Sequence, residues 1–329
     1  MTKLNIDGST PVLVTGATGY VAVWLIKQLL EAGVPVHAAV RDPDNIEKRA
    51  HLDKMAEETT GTITYFKADL LEEDSFDTAM QGVGIVFHTA SPFIVKYDDP
   101  QRDLVDPAVK GTQNVLNAAT RAKSVKRVVL TSSCAAIFSD INDVLNAPGG
   151  ILTEEVWNET STLEDNPYSL SKTLAEKAAW KIAEGQSQWD LIVINPALVV
   201  GPGTAARQTS ASFDYVRMLA DGTFKAGAPE FQIGMVDVRD VADAHVRGGY
   251  MANASGRHIT FAKALTLFDL ADSIRAELPD LALPASKSYD GPEWKADNTR
   301  SIKDLGVSYR DPRDGVAEMV RQLIADGQI

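Results

Sequence analysis

Tyr168 and Lys172 lie in the run Asn-Pro-Tyr-Ser-Leu-Ser-Lys, a phenol and an ammonium four residues apart. Asn166 suits a helix N-cap and Pro167 the first turn, where a missing N–H costs nothing. The helix that follows places both side chains on one face. A free phenol has a pKa of about 10 and exchanges protons poorly at neutral pH. A neighbouring cation favours the phenolate, so Lys172 is expected to lower that value toward the working range. The pair is a metal-free way to protonate or deprotonate an oxygen atom. The same spacing also occurs on solvated helix faces, so the other motifs must decide.

The second motif is Thr15-Gly16-Ala17-Thr18-Gly19-Tyr20-Val21-Ala22, between an apolar run and a helical pattern. Gly16 permits the tight turn, Gly19 lets the backbone approach a pyrophosphate, and Ala22 keeps the helix close to the sheet. The exposed N–H groups at the helix start can then hold the anion. Further on, Val40-Arg41-Asp42 ends the next apolar run. An acidic side chain there would bind ribose hydroxyls, whereas the Arg41 fork suits a 2′-phosphate, with Lys48 in support. NADP(H) is therefore expected over NAD(H), with Asp42 as the opposing feature. Asp69, in Ala68-Asp69-Leu70, can approach the adenine amino group or can cap a helix. Thr131-Ser132-Ser133 and His88-Thr89-Ala90-Ser91 each follow an apolar run, at the edge where such sheets bind ligands. A serine there can hydrogen-bond a carbonyl, or form a turn.

The elements that must position these residues alternate. Short apolar runs at Pro11–Thr15, Val36–Val40, Ile63–Phe66, Ile85–His88, Val128–Leu130 and Leu191–Ile194 read as strands. Helical patterns begin at Val21 and span Val109–Ala122 and Pro167–Glu184. This rhythm predicts an α/β fold, a Rossmann-type doubly wound parallel sheet with a smaller C-terminal substrate-binding part. After Ile194 the rhythm breaks into Pro/Gly loops, with helical patterns at Phe213–Leu219, Arg239–Met251, Leu267–Leu278 and Gly315–Ala325 and an extended Arg257–Phe261. The expected division is a dinucleotide-binding domain over 1–195, to which 236–262 return, and a substrate-binding part over 196–235 and 263–329.

Composition removes several classes. The net charge of −13 disfavours nucleic acid and anionic membrane as partners. One cysteine, Cys134, leaves no intramolecular disulfide or Cys-based zinc site. The five histidines show no metal spacing, so no metal is expected. The start lacks a signal-peptide pattern and no run is long enough to span a membrane, so a cytoplasmic location is expected.

Taken in order, Val14–Ala22, Val40-Arg41-Asp42-Pro43, Ser132-Ser133, Tyr168–Trp180, Asn195–Pro202, Val238–Val246 and Leu305-Gly306 resemble the extended short-chain dehydrogenase/reductase superfamily. The branch resembled is that of dihydroflavonol-4-reductase and the aldehyde/ketone (carbonyl) reductases. The resemblance implies an NADPH-dependent reductase of ketones or aldehydes, with Ser133, Tyr168 and Lys172 as catalytic trio. It implies cofactor contacts at Thr15, Gly16, Thr18, Gly19, Tyr20, Val21, Arg41, Lys48, Asp69, Leu70, Thr89, Ala90, Ser91, Tyr168, Lys172, Pro196 and Val199. Ala108 stands where many members carry an Asn that feeds a proton relay, so water or backbone must serve. Phe93, Ser133, Cys134 and Tyr168 are candidates to face a small-molecule carbonyl substrate, with Ile94, Phe213 and Phe224 near them; the phenylalanines, Ile94 and Cys134 are equally ordinary core residues. The Tyr168 helix often pairs in relatives, which leaves a homodimer open. A sugar-nucleotide epimerase or dehydratase would share fold and Tyr/Lys pair but hold NAD, against which Arg41 argues. A non-catalytic NADP-binding regulatory protein is opposed by the intact trio.

Overall fold

The computed structural model describes residues 4–91, 97–205 and 210–329. In chain order the strands are β1 (Val12–Thr15), β2 (Pro35–Val40), β3 (Thr62–Lys67), β4 (Ile85–His88), β5 (Arg127–Thr131), β6 (Asp190–Pro196), β7 (Leu198–Val200), β8 (Ile233–Asp237), β9 (Gly256–Thr260) and β10 (Lys263–Leu265). The helices are α1 (Tyr20–Glu31), α2 (Ile46–Glu57), α3 (Asp106–Arg121), α4 (Ile141–Asn146), α5 (Pro167–Glu184), α6 (Ala211–Ala220), α7 (Val238–Tyr250), α8 (Leu267–Glu277) and α9 (Pro312–Ala325).

Seven strands form one parallel sheet in the order β3-β2-β1-β4-β5-β6-β9. The chain runs outward from β1 to β3, then returns to β4 and runs outward the other way. Between β1 and β4 the winding reverses, which opens a crevice at their carboxyl ends. Strand alternation sends Val12 and Val14 into the core layer with α1 and α7, and Leu13 into the opposite layer with α3 and α5. Helix α1 buries Ala22, Val23, Leu25, Ile26, Leu29 and Leu30 on that first layer. Each large aliphatic side chain there contributes roughly 1.5–3 kcal/mol. Helix α7 comes close to the sheet at Gly249, where a Cβ would lie 2.6 Å from the Phe87 ring.

A second sheet has the order β10-β8-β7, with β7 and β8 parallel and β10 antiparallel to β8. It packs with α6, α8 and α9 around Val200, Met235, Leu219, Leu270, Val316 and Met319. This region was expected as loops and helices. Its strands are three to five residues long, one containing Gly234, and too short to show a period. Helix α3 starts at Asp106 rather than Val109, and a π-type turn at Gln101–Val105 leads into it. Its polar first turn hides the start from an apolar-periodicity reading. Among the described residues no helix is long and apolar enough to cross a membrane.

Candidate active site

The turn after β1 is built around Gly16, whose φ is +63°. A Cβ there would stand 3.0 Å from both the Cα and Cβ of Ala90, so only glycine fits. Gly19 N donates to Gly16 O at 2.8 Å, and Gly19 occupies the N-cap of α1 without a side-chain cap. The first N–H groups of α1 thus face the crevice unpartnered by any capping side chain. Beneath the turn, Thr15 is fully buried. Its hydroxyl pairs with His88 Nδ1 at 2.9 Å and accepts from Ala90 N at 3.1 Å, while Thr89 Oγ1 donates to Thr15 O at 2.5 Å. These bonds lock the ends of β1 and β4 together. Burial pushes His88 down to about 3, so it stays neutral.

A groove of about 550 Å³ runs from Gly16, Thr18 and Gly19 past Arg41 and Asp69–Leu70 to Thr89–Ser91. Asp69 borders this groove, and its carboxylate accepts from Leu71 N at 2.9 Å to close a turn; no helix starts there, so it is not a helix cap. At one end a recess of about 380 Å³ is lined by Thr18, Arg41, Asn45, Lys48 and Arg49. Asp42 borders it too, but its carboxylate accepts from Asp44 N at 3.1 Å and closes its own turn. Arg49 was not foreseen. Its guanidinium lies 4.8 Å from the Tyr65 ring centroid, donates to Pro43 O at 2.7 Å and approaches Asp53 at 3.3 Å. The only sequence signal was its place beside Lys48 on the same helix.

Tyr20, Val21, Pro196 and Val199 are not among the residues lining this groove. Tyr20 is turned away from the groove: its hydroxyl donates to Gly201 O and its ring meets Phe213 edge-on at 5.6 Å. Burial raises its pKa well above 10, which keeps it a neutral donor. Val21 sits half-buried in the first turn of α1. Pro196 pairs with Thr260 at the end of β6, and Val199 with Val236 in the small sheet. Cys134 is buried in an apolar cluster with Ile137 and Trp294, its thiol directed at Asn195 O at 3.3 Å. Its thiol pKa is raised by that burial. Phe213 and Phe224 pack in the core of the small sheet. Phe93 and Ile94 lie outside the described residues.

Beyond Ser91, where the groove ends, Ser133, Tyr168 and Lys172 come together. Asn166 caps α5 through Ser169 N at 3.4 Å and is itself held by Ser139, whose carbonyl and hydroxyl oxygens accept from its Nδ2 at 3.1 Å. Asn166 takes the left-handed conformation, φ 57°, that sets the entry angle of the helix. Ser133 follows β5 and accepts from Ala135 N at 3.1 Å. Its hydroxyl also hydrogen-bonds the Tyr168 phenol, which favours the phenolate. Burial outweighs that bond, and the Tyr168 pKa is raised above 10. This corrects the expectation of a lowered phenol. Lys172 Nζ lies 5.8 Å from the Tyr168 ring centroid and donates to Ser91 Oγ at 2.8 Å. The ammonium itself is disfavoured by burial and falls to about 8. Among the described residues no His, Cys, Asp or Glu cluster is placed to hold a metal.

The profile of the 3-beta hydroxysteroid dehydrogenase/isomerase family matches residues 13–254. Cinnamoyl-CoA reductase CAD2 of Medicago truncatula is 39% identical over 318 residues, covering 95% of each chain. The chain belongs to this family, within the extended short-chain dehydrogenase/reductases. Anthocyanidin reductase of Arabidopsis thaliana is 38% identical over 287 residues, 84% of this chain and 83% of that one. The NADPH complex of the yeast methylglyoxal/isovaleraldehyde reductase Gre2 superposes with a TM-score of 0.84 at 30% identity, covering 97% and 100% of the two chains. The family, the dihydroflavonol-reductase-like branch, the enzyme class and the cofactor expected from the sequence are those of these relatives.

Proposed function

We propose that this chain reduces a ketone or aldehyde of a small molecule to the alcohol with NADPH, through Ser133, Tyr168 and Lys172. The observation that carries the reading is the hydrogen-bonded Ser133–Tyr168 pair beside Lys172, at the end of the groove that begins at the Gly16 turn. When bound, NADPH supplies the hydride. The Gly16 turn and the start of α1 would hold its pyrophosphate, Asp69 its adenosine end, and Arg41 with Lys48 and Arg49 its 2′-phosphate, all of which line the groove or its recess. Ser133 holds the carbonyl oxygen of the substrate. Tyr168, protonated at neutral pH by its raised pKa, gives its proton to that oxygen as charge develops. Lys172 then stabilises the phenolate left behind until it is reprotonated.

Reprotonation has a route that does not need a side chain at position 108. Ala108, Ser91, Thr112, Ser132 and Lys172 border a chamber of about 20 Å³, room for one water molecule with polar partners. Lys172 can pass its own proton to the phenolate and take a replacement from a water there, which is reprotonated in turn from solvent. The test is NADPH oxidation against a panel of ketones, aldehydes and dicarbonyls, with NADH alongside. Turnover with at least one carbonyl, faster with NADPH, is expected. Tightly retained NAD released on denaturation, with no carbonyl turnover, would contradict it.

A further inference from the structure

Tyr168, Lys172 and Glu176 follow one another at successive turns of α5, and the third is a carboxylate without solvent access. Its Oε1 accepts from Arg257 Nε at 2.6 Å and from Trp180 Nε1 at 3.2 Å. Its Oε2 accepts from Ser132 Oγ at 2.5 Å and from Asn195 Nδ2 at 2.8 Å. Four side chains, Arg257 also reaching Oε2 through Nη2 at 3.5 Å, thus saturate the roughly four lone-pair sites of a carboxylate. Asn195 Nδ2 also donates to Ser133 O at 3.2 Å. Glu176 is therefore one bond away from Ser133 on two sides, through the preceding side chain and through its carbonyl. The small chamber beside Lys172 has Glu176 in its wall as well.

Arg257 comes from β9 and is 6% exposed. Its Nη1 donates to Glu154 O at 2.9 Å and Val156 O at 2.6 Å, and its guanidinium lies 3.9 Å from the Trp157 ring centroid. The pair thereby joins the ends of β5 and β6, strand β9 and helix α5. Stability alone is a weak reason for such a pair. Desolvating two ions costs about what their attraction returns, and well-packed apolar replacements are often neutral or stabilising. What an ion pair provides that apolar groups do not is a single fixed geometry. Here that geometry sets Ser133 against Tyr168 and Lys172.

We propose that Glu176 and Arg257 are positioning residues that hold the Ser133 hydroxyl and the α5 pair in register for proton transfer. The proposal rests on the trio reading given above. It is tested in the full chain with Glu176→Gln and with the double variant Glu176→Met/Arg257→Met, measuring Tm, NADPH affinity, kcat and KM. Tyr168→Phe is run beside them. Misplacing reacting groups by an ångström costs on the order of a hundredfold, so both variants should lose at least about tenfold in kcat. NADPH affinity and KM should hold in the folded protein, while the double variant should lose Tm, because it leaves the Ser132, Asn195 and Trp180 donors and the Glu154 and Val156 carbonyls without these partners. Wild-type kcat in Glu176→Gln, or a loss confined to KM, overturns the proposal whether or not the double variant folds. Wild-type turnover in Tyr168→Phe overturns the trio reading beneath it instead.

Discussion

Replacing Arg41 by alanine should separate NADPH from NADH binding. Arg41 is exposed at the mouth of the recess it shares with Lys48 and Arg49. Arg49 already spends donors on Pro43 O and packs against Tyr65, and Asp42 closes its own turn. Arg41 and Lys48 are thus the cations most available to a 2′-phosphate, and Arg41 brings the planar fork that suits it. A hydrogen bond to a charged group is worth roughly 1.5–3 kcal/mol. Solvent screening at an exposed site argues for the lower half of that range. At about 1.4 kcal/mol per tenfold, NADPH should weaken by about ten- to thirtyfold. NADH, which lacks the phosphate, should be nearly unaffected. Calorimetric titration of both cofactors at low and at moderate salt is the assay, and the NADPH preference of the wild type should shrink as salt rises. Equal losses for both cofactors, or none for NADPH, would refute the placement of the phosphate in this recess.

Gly16→Ala forces a left-handed alanine and a 3.0 Å contact with Ala90; NADPH affinity should fall steeply, and unchanged binding by titration would remove the turn from the cofactor site. Lys172 titrates at about 8, so its charge is present below that pH and lost above it. The kcat/KM for reduction should therefore be level near neutrality and decline as pH rises through about 8, with no such limb in Lys172→Met. Tyr20→Phe removes the bond to Gly201 O at a cost of about 1 kcal/mol; Tm should drop while NADPH affinity is kept, and the reverse pattern would return Tyr20 to the cofactor site.

Local chemistry was legible in the sequence wherever it is carried by neighbours in the chain. The apolar runs found β1, β2, β4, β5 and β6 within a residue or two, because doubly covered parallel strands must be apolar throughout. The start of α5 followed from Asn166 and Pro167. What escaped depends on distant partners. Tyr20 leaves the glycine turn for Gly201, which is 181 residues away. Glu176 meets Arg257 across 81 residues, and nothing in either local pattern announces a buried charge. The direction of the Tyr168 pKa was misjudged because spacing gives proximity to Lys172 but not the depth of burial, and burial is the larger effect.

The account turns on Tyr168 as proton donor. Steady-state turnover of Tyr168→Phe, measured with NADPH binding on the same preparation, tests that most directly. Loss of the general acid should reduce kcat by about 10²–10⁴-fold while NADPH binds as before. Turnover close to that of the wild type, in a folded and NADPH-binding variant, would contradict it.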